Sequence, residues 1–120
     1  MDGIKAYREL IMENIEYSIL SVQYGGRLDE IVELVLETVC SSVDSLKIAG
    51  KLVPTEIVKS RLLKLDASHI PYVLDCMDEN TTKVRNIKAY LLTVLFNASA
   101  TMESYYQAEV NHDFGGHERR

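Results

Sequence analysis

The sequence predicts a mostly α-helical fold, a compact bundle of five or six short helices with one small β-like hairpin. Along most of the chain, apolar residues recur at the i, i+3, i+4 spacing of helices. Residues 45–54 break this rhythm, because Leu46 and Ile48 alternate with polar or small neighbours before a Gly50-Lys51 turn. No linker, repeat or low-complexity tract divides the 120 residues, a length that suits one domain with its own core.

The chain before residue 45 predicts two amphipathic helices. Residues 17–20 either extend the first helix or form a short separate turn, and Gly25-Gly26 then interrupts the chain. Asp29 and Glu30 lie near the start of the second helix, where its dipole favours carboxylates. The apolar positions of the two helices are Ile4, Tyr7, Leu10, Ile11 and Ile15, followed by Leu28, Ile31, Val32, Val35 and Val39.

Two further helices follow the hairpin. Pro54 introduces the third helix, and either Asp66 or Ser68 caps the fourth. Pro71 favours Ser68, because a proline in the first turn removes no helical hydrogen bond. The apolar positions of these helices are Ile57, Val58, Leu62 and Leu65, followed by Ile70, Val73, Leu74 and Met77.

A fifth helix is predicted to be central, because residues 84–98 are apolar over most of a helical circumference. Thr81 or Thr82 is its expected N-cap, and residues 97–99 are expected to end it. Its first two turns would then hold several cations, which oppose the helix dipole and therefore suggest a partner. A sixth helix would carry Met102, Tyr105, Tyr106 and Val110, which gives one domain over residues 1–114 and a flexible tail over 115–120.

Composition excludes several classes of protein. The chain is 47% hydrophobic and 26% charged, which is typical of globular proteins. It has no apolar run long enough to span a membrane and no signal peptide, so we expect a cytoplasmic protein. Cys40 and Cys76 are then expected to be buried thiols. Residues 1–44 contain three Lys/Arg and nine Asp/Glu, whereas residues 45–100 contain eight and five, so the surface is expected to be polarised.

No catalytic or metal-binding constellation stands out. The three histidines and two cysteines lack the spacing of metal ligands, and Cys76 lies two helical turns from His69. Glycine-rich phosphate loops are absent, and the paired carboxylates Asp29/Glu30 and Asp78/Glu79 lie at helix ends. We therefore expect no enzyme, no cofactor and no metal.

Binding is the remaining function class. Basic residues cluster on the third and fifth helices, but a pI of 5.1 is far below the value above 9 that is typical of nucleic-acid modules. Strong binding to DNA is therefore not expected, and an acidic protein partner or a weak contact with DNA is preferred. Tyrosines near the C-terminus can anchor such a partner. The predicted partner-binding residues are Lys59, Arg61, Lys64, Lys83, Arg85, Lys88 and Tyr106.

A series of short segments along the chain is distinctive: YRE (7–9), NIEY (14–17), VKSR (58–61), LKL (63–65), HI (69–70), YVLD (72–75), RNIKAYLLT (85–93) and NHD (111–113). With these segments the chain resembles the C-terminal domain of RepA-type replication initiators, which occur on plasmids and mobile elements of Gram-positive bacteria. The resemblance spans roughly residues 7–114 and is most distinctive over residues 86–97.

That resemblance implies a helical domain similar to that of the primosome protein DnaD, belonging to an initiator whose N-terminal winged helix recognises the origin. Its implied role is to recruit host replication proteins, with primase or a helicase-loading factor as the partner. Asn86, Tyr90 and Val94 match the DNA-linked motif of DnaD-like helices, but Ala98 stands where that motif has tryptophan. Two alternatives stay open, namely a DNA-binding module that uses the same basic residues and a self-association domain.

Overall fold

The computed structural model describes residues 2–80, 85–98 and 100. In this part of the chain it contains six helices and one two-stranded antiparallel sheet, so the predicted mostly α-helical fold with a small hairpin is confirmed. In chain order the elements are α1 (Asp2–Asn14), α2 (Tyr17–Tyr24), α3 (Gly26–Val39), β1 (Ser45–Ile48), β2 (Lys51–Pro54), α4 (Thr55–Leu62), α5 (His69–Asn80) and α6 (residues 87–98).

Residues with positive φ, a backbone conformation that non-glycine residues rarely adopt, separate the first three helices. Glu16 has a φ of 54° and divides α1 from α2, so residues 17–20 belong to a separate helix. Gly25 has a φ of 54° and ends α2, with its N–H donating to the Ser21 carbonyl oxygen. A glycine fits here because it has no Cβ to clash at positive φ.

The hairpin pairs Leu46 with Val53 and Ile48 with Lys51 across a two-residue turn. Ala49 and Gly50 both have positive φ, 53° and 81°, as the primed turns of two-residue hairpins require. Ile48 is buried, and Leu46 and Val53 pack against the same core. One face of the hairpin therefore packs against the helical core.

The start of α5 agrees with the prediction from Pro71. The helix begins at His69, which places Pro71 in its first turn. The Asp66 carboxylate accepts hydrogen bonds from the Ser68 N–H, at 2.9 Å, and from the Ser68 hydroxyl. Asp66 and Ser68 thus form one local turn, with Ser68 directly before the helix.

α3 contributes more buried side chains than any other helix of the described fold, although the sequence predicted that the fifth helix would be the central one. All five apolar positions predicted for α3 are buried. The helix packs against α1, α2 and α4. In α6, residues 87–89 are exposed, with Ile87 half exposed, whereas every side chain from 90 to 98 is buried or partly buried. The core residues contributed by α3 are Leu28, Ile31, Val32, Leu34, Val35, Leu36 and Val39, and those contributed by α6 are Leu91, Leu95, Phe96 and Ala98.

Polar contacts fasten α3 to four other helices. Its exposed side chains form ion pairs with α1, α5 and α6, and Asp29 accepts a hydrogen bond from the Tyr17 hydroxyl of α2. Because these groups are exposed, the ion pairs contribute little to stability, and the apolar core dominates it. The pairs are Arg8–Glu33, Arg27–Asp78 and Lys88–Glu37.

α6 starts later than predicted. Residues 85 and 86 are not helical, and the Asn86 side-chain oxygen accepts a hydrogen bond from the Ala89 N–H at 3.0 Å. Asn86 is therefore the N-cap, a role for which its short polar side chain is well suited. Arg85 therefore lies just before the helix, and Lys88 is the described cation within its first turn. Residues 97 and 98, which belong to the predicted end at 97–99, are still helical.

Several expectations from the sequence lie outside the described residues: Lys83, the caps Thr81 and Thr82, the sixth predicted helix with Tyr106, and the tail over 115–120.

The prediction that Cys40 is a buried thiol was wrong. Cys40 is exposed, because it caps the C-terminus of α3. Ile4, Leu10 and Ile57 are also more exposed than predicted.

Candidate partner-binding surface

The cations predicted to bind a partner do not all face the same way. Lys59 and Arg61 lie two residues apart on α4, which separates their directions by about 200° around the helix. The Lys59 ammonium lies 5.0 Å from the centroid of the Tyr7 ring on α1. The guanidinium carbon of Arg61 lies 4.4 Å from the centroid of the Phe96 ring on α6.

Lys59 and Arg61 therefore hold the fold together. Arg61 also donates to the Phe96 carbonyl oxygen at 3.4 Å, and both α4 side chains are half-buried. A hydrogen bond to Tyr7 raises the pKa of Lys59 above its ordinary value, so the amine beside Tyr7 keeps its proton further into the alkaline range. In each contact the cation is attracted to the negative face of the aromatic ring.

Lys64, Arg85 and Lys88 are exposed. The Lys88 ammonium lies 2.7 Å from a Glu37 carboxylate oxygen of α3, across the junction of the two helices. Lys88 and Phe96 are eight residues apart on α6, so the Arg61 contact lies about 12 Å farther along the helix. The structure thus separates the Arg61 contact from the α6 cations, and leaves Arg85 and Lys88 as the basic end of α6.

Two open grooves flank the Lys88–Glu37 ion pair. The first, which we call the hairpin groove, has a volume of about 630 Å³ and lies between the N-terminal half of α6, the end of α3 and the hairpin. Its apolar lining includes Val43, which is 52% exposed. The hairpin groove is lined by Leu34, Glu37, Thr38, Cys40, Ser41, Ser42, Val43, Leu46, Asn86, Lys88, Ala89 and Leu92.

The second groove, which we call the acidic groove, lies on the other side of the same ion pair. It has a volume of about 490 Å³ between α3 and α6. Sequence reasoning missed it, although the spacing of three glutamates on α3 signals one carboxylate-bearing helix face. The acidic groove is lined by Glu30, Glu33, Leu34, Glu37, Ile87, Lys88 and Leu91.

A family model described as a family of unknown function, DUF6017, matches residues 1–116. The chain belongs to the DUF6017 family. This match takes in every described helix and strand, and both grooves therefore lie within the DUF6017 region. Comparisons with curated proteins and with solved structures gave no significant match.

The described part of this DUF6017 chain offers little for metal chemistry. Within residues 2–80, 85–98 and 100, no group of three His, Cys, Asp or Glu side chains is placed to hold a metal ion. His69 is buried, and its Nδ1 accepts a hydrogen bond from the Asp66 N–H at 3.0 Å, so the ring serves the turn before α5. Across the same residues, no helix combines the length and apolar character needed to cross a membrane.

Proposed function

We propose that this DUF6017 chain is a non-enzymatic protein-interaction domain of a plasmid or mobile-element replication initiator. Its proposed role is to recruit a host primosome component, with primase as the first candidate and a helicase-loading factor as the second. The resemblance to RepA-type initiators supports this choice of partner. The hairpin groove supports the choice of an interaction module over other classes.

The hairpin groove has the composition of a docking surface. Apolar side chains from two helices and the hairpin line it, the apolar residues Val43 and Ala89 are exposed, and Lys88 lies at its edge. Arg85 directly precedes Asn86, which lines the groove, so a second cation lies close by. Interfaces commonly combine an apolar centre with a charged rim that steers association. We therefore expect the partner to present an apolar segment flanked by carboxylates.

The first experiment is a calorimetric titration of this chain against host primase and a helicase-loading factor. Single-stranded and duplex DNA are titrated in parallel at near-physiological salt. Binding to a replication protein without binding to DNA is the expected result. Binding to DNA alone, with affinity falling steeply as salt rises, would instead favour the DNA-binding alternative. Absence of binding to either replication protein would contradict the proposal.

Variants then locate the interface. Ala89→Glu adds a carboxylate to the exposed lining of the hairpin groove, and Arg85→Glu reverses a cation beside it. Each is expected to weaken partner binding about tenfold or more, which corresponds to about 1.4 kcal/mol. Ala6→Glu and Lys5→Glu are matched controls, because both positions are exposed on α1 and line neither groove. Equal effects of variants and controls would place the interface elsewhere.

Self-association is a second candidate, supported by the exposed surface of α2. This helix contains no charged residue and no buried one. Ile19 is 65% exposed and Val22 is 88% exposed. An uncharged face can meet its own copy across a two-fold axis without opposing like charges. Sedimentation equilibrium over a concentration series tests this. Val22→Asp is expected to abolish a dimer, whereas Gln23→Asp, at an exposed polar position, is expected to disrupt it less.

A further inference from the structure

We propose that the acidic groove binds a basic amphipathic helix of a partner protein. The groove runs between α3 and α6, and its floor is apolar, since Leu34 and Leu91 are only 7% and 8% exposed. Ile87 forms one wall and is 50% exposed. A cleft between two helices suits a third helix, whose side chains can pack into the space between them.

The charge of the rim selects a basic occupant. Glu30, Glu33 and Glu37 are spaced three and four residues apart, so their exposed carboxylates form one row on α3. This row spans about 10 Å, or two helical turns, and therefore matches lysines or arginines spaced one turn apart on a facing helix. Phosphates or an acidic peptide would be repelled by the same row.

The carboxylates can accept new partners at small cost. Glu33 is paired with Arg8 and Glu37 with Lys88, and all four side chains are at least 40% exposed. Exposed pairs of this kind contribute little to stability, so an incoming cation can replace Arg8 or Lys88. Glu30 makes no ion pair with any described residue, which leaves it ready to bind a cation from the partner.

The apolar surface continues beyond the acidic groove. A smaller cavity of about 170 Å³ adjoins it and shares Glu30, Ile87 and Leu91. It reaches Leu74 and Met77 of α5, and its lining also includes Arg27, whose charge is paired with Asp78. The apolar track therefore extends from α3 and α6 to α5. Its extent suits an occupant with apolar anchors on successive turns rather than a single inserted side chain.

This inference does not depend on the identity of the partner of the hairpin groove. Glu30 and Ile87 line the acidic groove but not the hairpin groove, whereas Val43 and Ala89 line only the hairpin groove. Variants at these positions separate the two surfaces. A chain that binds primase but no basic helix would retain the proposed function and overturn the present inference.

The probe is a fluorescein-labelled synthetic peptide of about 18 residues, or five helical turns, with leucines along one face and lysines elsewhere. A peptide with glutamates in place of the lysines tests charge, and a peptide of the same composition with a scrambled order tests amphipathicity. Fluorescence anisotropy against the full chain, over a salt series, reports affinity. We expect the leucine–lysine peptide to bind best and to lose affinity as salt rises.

Glu30→Lys is expected to weaken binding of the leucine–lysine peptide about tenfold or more, and Ile87→Ser to weaken it at any salt concentration. Glu13→Lys, an equal charge reversal at an exposed position of α1, is the matched control and should have about a twofold effect or less. Equal binding of the scrambled peptide, or equal effects of Glu30→Lys and Glu13→Lys, would overturn the proposal. Because Glu30 is exposed, circular dichroism of Glu30→Lys should match the parent chain.

Discussion

At the scale of single residues, Thr55 is the least satisfied polar side chain of the described core. It opens α4 and is only 5% exposed, and its hydroxyl oxygen has no hydrogen-bond partner. A buried hydroxyl without a partner loses its hydration and gains nothing in return. Thr38 provides a contrast, because it is equally buried and donates to the Leu34 carbonyl oxygen at 2.8 Å.

We therefore expect Thr55→Val to raise the free energy of unfolding by about 1 kcal/mol, since valine keeps the shape and removes the unpaired hydroxyl. Urea unfolding followed by circular dichroism measures the change. Thr38→Val is the matched control and should be neutral or destabilising, because it removes a hydrogen bond that is formed. Destabilisation by Thr55→Val would show that the hydroxyl is hydrogen-bonded in solution.

Asp66 gives a residue-scale prediction about pH. The hydrogen bond from the Ser68 hydroxyl, followed by smaller contributions that include His69, lowers the pKa of Asp66 below its ordinary value. A carboxyl whose pKa is lower in the folded state stabilises the fold above its unfolded pKa of about 3.9. That contribution is lost as the pH falls through the folded-state pKa. Because the Asp66 side chain is 58% exposed, the effect is below about 1 kcal/mol.

Asp66→Asn isolates this effect, because asparagine keeps an acceptor oxygen for Ser68 without the titrating charge. We expect the parent chain to be the more stable of the two at about pH 7, and the difference to shrink below about pH 4. Urea unfolding of both proteins across this range measures it. A difference that stays constant with pH would contradict the prediction.

At the scale of elements, the hairpin carries a local conflict between residue type and backbone. Ala49 occupies a positive-φ position at which a Cβ is unfavourable by about 1 kcal/mol. Asparagine tolerates that conformation and is common in primed turns. We expect Ala49→Asn to stabilise the chain by up to about 1 kcal/mol and Gly50→Ala to destabilise it by a similar amount. Thermal unfolding of both variants tests this, and the same sign for both would exclude turn strain as the cause.

The elements also show where sequence patterns succeed. The hairpin, the separate start of α4 after Pro54 and the start of α5 before Pro71 were predicted correctly, because each depends on turn chemistry within a few residues. The start of α6 was not. Asn86 and the two threonines are all good N-caps in sequence, and only the fold shows that Asn86 holds this position.

At the scale of the whole molecule, α3 joins the core and is fastened to α1, α2, α5 and α6 by polar contacts. A chain of this size with one shared core is expected to unfold in a single transition. Circular dichroism should therefore coincide with tyrosine fluorescence, to which Tyr7 of α1, Tyr17 and Tyr24 of α2, Tyr72 of α5 and Tyr90 of α6 contribute. Two separated transitions would show that the helices do not unfold as one unit.

The candidate surface was only partly predictable. The sequence indicated that Arg85 and Lys88 are exposed cations near one helix end, and the structure places them beside the hairpin groove. It could not show that Lys59 lies over Tyr7, or that Arg61 lies over Phe96, since these partners are distant in sequence. Nor could it show that the glutamates of α3 border an apolar cleft, because Ile87 and Leu91 come from another helix.

The sequence by itself determined the helical class, the hairpin and the segments that become core helices, because periodicity and turn chemistry act over neighbouring residues. The tertiary structure decided which helix contributes most to the core, which cations are committed to the fold and where the grooves open. These properties depend on contacts between helices, such as Lys88 with Glu37, and the order of residues along a single helix does not specify which other helix it will face.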